Sequence, residues 1–110
     1  MSVRLTRRLV LEERGRSPDG AGGTLGGWAA LGTHWGAVVP RGGRLERGEG
    51  RARARVPYRI TLRAVSEASP ARPRAGQRFR AGLTLFAIRA VALSQDGRFL
   101  ICDVDEEVSQ

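Results

Sequence analysis

From Tyr58 to Ala64 the side chains alternate without a break. Tyr58, Ile60, Leu62 and Ala64 are apolar or small, and Arg59, Thr61 and Arg63 between them are polar. A period of two puts the first set on one face of an extended strand and the second on the other. Such a half-buried strand is not stable alone. It needs hydrogen-bonded neighbours and a second apolar surface against its inner face. Weaker versions of the pattern recur along the chain. Leu9 and Leu11 share a face within Arg7–Arg14, and Trp28–Pro40 is an apolar run closed by a proline. A short strand is expected around Phe79, and a longer one over residues 83–93. In the longer strand Leu85, Ala87, Arg89 and Val91 would share one face, and Phe86, Ile88, Ala90 and Ala92 the other. Residues 98–104 form the last strand.

Turn signals separate these runs. Pro18 and Asp19-Gly20 mark one, Ala81-Gly82 a second and Asp96-Gly97 a third, while residues 66–77 form a loop with two prolines. Fifteen glycines and five prolines in 110 residues favour short strands over long helices. The length suits one domain, residues 1–110, with a modest core. The expected fold is all-β: a small barrel or sandwich of five or six strands with a long glycine- and arginine-rich loop between the second and third. Closure into a barrel is favoured because it removes exposed strand edges. Residues 1–7 are expected to be loose, and residues 103–110 to form an acidic tail.

Charge bears most directly on function. The net charge is +8, and all nineteen basic residues are arginine. The preference for arginine over lysine fits codon usage in a GC-rich genome. The excess of positive charge favours a polyanion or an acidic protein surface as partner. Arg41, Arg44, Arg47, Arg51, Arg53 and Arg55 fall in or beside the segment broken by Gly42, Gly43, Gly48 and Gly50. A flexible basic loop rooted on a strand is a means of presenting cations to something acidic. Asp103, Asp105, Glu106 and Glu107 are four of the eleven acids. That asymmetry suggests attraction between neighbouring copies of the chain.

Catalytic chemistry is poorly supported. His34 is the one histidine and Cys102 the one cysteine, which leaves no metal-ligand spacing and no internal disulfide. His34 is read as a packed or surface strand residue and Cys102 as a small apolar strand residue. Ser17, His34 and Asp19 could be named as a triad, but nothing in their spacing supports one. The run 20–27, although glycine-rich, lacks the Gly-Lys-Ser/Thr ending of a phosphate loop. No catalytic residue, metal or cofactor is expected. No signal-peptide or membrane-span pattern is present, so the chain is expected in a cytoplasm and not in a membrane. Trp28 and Trp35 could stack on single-stranded bases. Core or interface packing is the preferred reading, because both lie apart in sequence from the arginines of residues 41–63.

The order of features resembles a known family. The segments are "LTRRLVLEER", "SPDGAGG", then Trp28, Trp35, Val38, Val39, Pro40 and Gly42, a charged loop, "VPYRITLR", and finally Phe86, Ile88, Ala90, Val91, Asp96, Gly97, Arg98, Leu100 and Cys102. Together, over about residues 4–107, they resemble the phage head–tail joining proteins, also called head completion or stopper proteins. "RAGLTLFAI" keeps only part of the family's pattern before the penultimate strand. The resemblance implies a non-enzymatic β-barrel in the virion neck, or in the neck of a gene transfer agent. Copies would form a ring, roughly six- or twelvefold, between a portal-side adaptor and a tail terminator or tail tube protein. It also implies that the loop at 41–55 faces the channel and contacts packaged double-stranded DNA without sequence preference. Assembly would take place in the host bacterial cytoplasm. Two alternatives stand beside it: a free-standing basic nucleic-acid-binding barrel, and another neck component such as a tail terminator.

Overall fold

The structure, a computed structural model, describes residues 4–15, 27–41 and 56–107. Six strands run in chain order: β1 (Arg7–Arg14), β2 (Trp28–Pro40), β3 (Val56–Arg63), β4 (Arg78–Ala81), β5 (Thr84–Leu93) and β6 (Phe99–Glu107). They close in the order β1-β2-β3-β6-β5-β4, and β4 pairs back onto β1. Every pairing is antiparallel. The all-β barrel expected from the alternation is therefore the observed fold. β1 begins at Arg7, so that residue is paired with Gly36 and not loose.

Inward-facing residues fill the barrel. Leu9 and Leu11 of β1, Ile60 and Leu62 of β3, Phe79 of β4, Phe86 and Ile88 of β5, and Leu100, Cys102 and Val104 of β6 form one buried cluster. Burying side chains of this size contributes about 1.5–3 kcal/mol each for the large aliphatic and aromatic residues. Tyr58 packs against the cluster, its ring edge-on to Phe86 at 5.4 Å between centroids. Gly36 lets β1, β2 and β3 approach closely. A Cβ there would lie 2.9 Å from Leu9 Cδ1 and 2.9 Å from the Thr61 carbonyl oxygen.

Two bulges redirect side chains. In the β1–β2 pairing, Leu11 faces Gly32 and Glu12 faces Ala30, so Leu31 is the extra residue. Its insertion moves Trp28 and Ala30 to the outer surface and lets Leu31 pack inward. In the β5–β6 pairing, Ile88 faces Val104 and Ala90 faces Asp103, leaving Arg89 unpaired in register. The strict alternation expected through residues 83–93 therefore fails at Arg89. Ala90 and Ala92 turn outward, and Val91 packs against the core with Phe86 and Ile88.

The turns follow their chemistry. Gly82 has φ +64 at the first central position of the two-residue β4–β5 hairpin. Gly97 has φ +74 in the β5–β6 turn. There Ser94 Oγ–H donates to Asp96 Oδ1 at 2.7 Å, and the Arg98 amide donates to the same oxygen at 3.1 Å. These two bonds hold the Asp96 carboxyl below its usual pKa. The segment between β3 and β4 folds back on the barrel, with Pro73 fully buried. His34 Nε2–H donates to the Ala71 carbonyl at 2.7 Å, and the Arg72 guanidinium donates to the Val65 carbonyl at 3.1 Å.

Candidate partner interface

The acids read as a tail are strand residues. Residues 103–107 complete β6, between β3 and β5. The physical reason is legible in retrospect: Cys102 and Val104 are inward and buried, while Asp103 and Asp105 alternate outward. Asp103 lies directly across from Arg59, with Arg59 Nε 3.5 Å from Oδ1. Arg41 Nη1 approaches the same oxygen at 3.7 Å. That oxygen is enclosed yet accepts no hydrogen bond among the described residues. Asp105 Oδ2 accepts a 2.6 Å hydrogen bond from Arg89, the residue released by the β5 bulge. Among the described residues no ion pair engages Glu106 or Glu107.

Arg41 follows β2 directly, where its amide donates to the Pro57 carbonyl at 3.0 Å. It stands at the root of the connection to β3. Arg44, Arg47, Arg51, Arg53 and Arg55, and with them the long loop expected between β2 and β3, lie outside the described residues, as do Ser17 and Asp19.

A second charged group, not anticipated from the sequence, occupies the outer surface of β1 and β4. Glu12 is only 5% exposed although it faces outward. Arg78 Nε donates to its Oε1 and Arg80 Nε to its Oε2, both at 2.8 Å. Burial alone would raise the Glu12 carboxyl; the hydrogen bonds from Arg80 and Arg78, with their charges, outweigh it and hold the pKa below its usual value. Trp28 covers the group. Its ring lies 4.1 Å from the Arg78 guanidinium carbon and 5.3 Å from that of Arg14. Glu12 and Arg78 are 66 positions apart, so only the β1–β4 register brings them together. The one local signal was Arg-Phe-Arg at residues 78–80, which puts both arginines on the face opposite Phe79.

Neither tryptophan is in the core cluster. Trp28 stacks on arginines, and Trp35 is 53% exposed on the outer surface of β2. Trp35 borders a shallow cavity of 360 Å³ with Leu5, Thr33, His34, Arg63 and Val65. Of the two placements open to His34, packed or surface, it is packed, with its ring edge-on to Phe79 at 6.3 Å. Cys102 is fully buried, and burial pushes its thiol up to about 12. Among the described residues no group of three or more His, Cys, Asp or Glu side chains could hold a metal ion.

Comparison with known proteins agrees with the sequence resemblance. Residues 1–107 match the family described as phage head completion protein. A solved chain in the virion of a native gene transfer agent particle is 44% identical, with a TM-score of 0.79, over 97% of this chain and 98% of that one. Comparison with curated proteins yields no match.

Proposed function

Because this chain belongs to the phage head completion protein family, and is thereby a structural component of the head–tail neck of a phage or phage-like particle, we propose that it forms the ring that closes the DNA channel and receives the tail. The observation that carries this reading is the full-length match to a chain of a gene transfer agent virion at 44% identity. Copies assemble in the host cytoplasm around an axis, between a portal-side adaptor and a tail terminator or tail tube protein.

A ring needs a head-to-tail contact that closes on itself. Exposed apolar residues on this barrel suit such a contact: Trp35 and Val39 on β2, Leu83 at the β4–β5 turn and Leu93 at the end of β5. Glu106 and Glu107, with Asp103 and Asp105 beside them, meet basic groups of a neighbouring copy. The two aspartates already have arginine partners within the chain. Glu106 and Glu107 are therefore the acids most available to a neighbour. Arg41, Arg44, Arg47, Arg51, Arg53 and Arg55 face the channel and hold the phosphate backbone through forked guanidinium donors. Contacts of this kind ignore base sequence, as a plug on packaged DNA must.

The role is structural and not catalytic. The Nε2–H of His34 is committed to the Ala71 carbonyl, and the Cys102 thiol is buried and held protonated. Deleting the gene and imaging the particles by electron microscopy tests the reading. Separate tails beside unsealed heads are expected; normally joined particles would refute it.

A further inference from the structure

We propose that the outer strip of β1 and β4 is a second phosphate-binding surface, distinct from the 41–55 loop, on which Arg78 and Arg80 are held by Glu12 to grip the backbone of double-stranded DNA. Antiparallel register builds the strip. Arg8, Val10, Glu12 and Arg14 are the outward residues of β1, and Arg80 and Arg78 lie across from Val10 and Glu12. Four arginines thus share one surface with one outward acid, and that acid is buried beneath them. From Arg8 to Arg14 the strip is about 20 Å long at the usual strand rise. That length suits several successive phosphates and exceeds what one carboxylate would occupy.

The hydrogen bonding prepares the site. Both Arg78 and Arg80 spend Nε on Glu12, and their side chains make no other hydrogen bond among the described residues. The Nη pair of Arg80, the more exposed of the two, can offer two parallel N–H donors to an oxyanion. Arg78, 18% exposed at its side chain, is fixed further by its stack on Trp28, while Arg80, at 43%, reaches solvent. Glu12 is thus a positioning residue. It sets the direction of two guanidinium groups before a ligand arrives and lowers the entropic cost of binding.

The geometry of the strip is independent of the neck assignment. Only the identification of packaged duplex as its natural source of phosphodiester rests on that reading. In the closed strand order β1 lies opposite β6, and β5 stands between β4 and β6, so the strip does not adjoin Asp103 and Asp105. This separation keeps the polyanion away from Asp103 and Asp105.

The test uses the full chain with Arg41, Arg44, Arg47, Arg51, Arg53 and Arg55 each changed to glutamine, which removes the loop's contribution. Anisotropy of a labelled short duplex is measured across a salt series. Retained binding is expected, with a salt slope that falls by about 0.9 for each phosphate that the loop no longer neutralises. Arg8→Ala with Arg14→Ala leaves Glu12 and its two bonds intact, and should weaken binding about tenfold. Arg80→Ala should weaken it similarly. In a Trp35→Phe background, duplex should change Trp28 fluorescence, and Arg78→Ala should abolish the change. Affinity unaltered by the Arg8→Ala, Arg14→Ala pair and by Arg80→Ala overturns the proposal. So does polyglutamate competing as well as duplex, which would assign the strip to an acidic protein partner. If these variants bind normally while the gene deletion still separates heads from tails, the strip falls and the neck role stands.

Discussion

Glu12 of β1 accepts a 2.8 Å hydrogen bond from Arg78 of β4, and this bond sits where the last strand pairing closes the barrel. Glu12 is almost wholly buried and Arg78 largely so, which makes their separation costly. Glu12→Gln keeps the shape but removes the charge. It should destabilise the folded chain by about 1–3 kcal/mol, read as a lower midpoint in urea unfolding. An unchanged midpoint would show that the pair is incidental to closure.

The same pair sets an acid sensitivity. The folded-state pKa of Glu12 is lowered, so its contribution is fully present above the ordinary carboxylate range and is lost as pH falls through the folded value. Stability should therefore decline below about pH 4, and Glu12→Gln should flatten that part of the profile. Denaturant melts at a series of acid pH values check this. Parallel profiles for the two proteins would contradict it.

Gly36 is closed in by two strands. A methyl group there meets Leu9 Cδ1 and the Thr61 carbonyl, both at 2.9 Å, and the second cannot move without shifting β3. Gly36→Ala is expected to cost about 1–3 kcal/mol. At Gly82, exposed at a hairpin tip, nothing lies within 4 Å of an added Cβ, and only the positive φ penalises Gly82→Ala. That cost is about 1 kcal/mol. Paired thermal melts should therefore rank Gly36→Ala as the more damaging; the reverse order would count against the observed register of β1, β2 and β3.

Cys102 should be inert. Its thiol is fully buried and pushed up to about 12, leaving almost no thiolate near neutral pH. A thiol-reactive chromophore should label it only as the chain unfolds, at the rate of global unfolding. Rapid labelling under native conditions would mean that β6 opens locally.

How much the sequence disclosed varied with the range of the interaction concerned. Tyr58, Ile60 and Leu62 announced β3 because strand alternation is local, and Asp96-Gly97 announced its hairpin for the same reason. The bulges at Leu31 and Arg89 were not legible. Each depends on which partner residue the strand meets, and each reversed the facing of everything beyond it. Core or interface packing is the reading for Trp28, and the Leu31 bulge takes it out of the core and onto Arg78. Asp103 and Asp105 looked like a tail because acids cluster there, yet their spacing around the buried Val104 is strand spacing. Glu12 gave no local signal, since its partners are contributed by β4.

The most direct test of the central claim is a cryo-electron microscopy reconstruction of intact particles. A ring of six-stranded barrels between portal and tail, with residues 41–55 directed to the axis, is the predicted result. A neck whose density excludes this barrel, or barrels located elsewhere in the particle, would contradict the assignment.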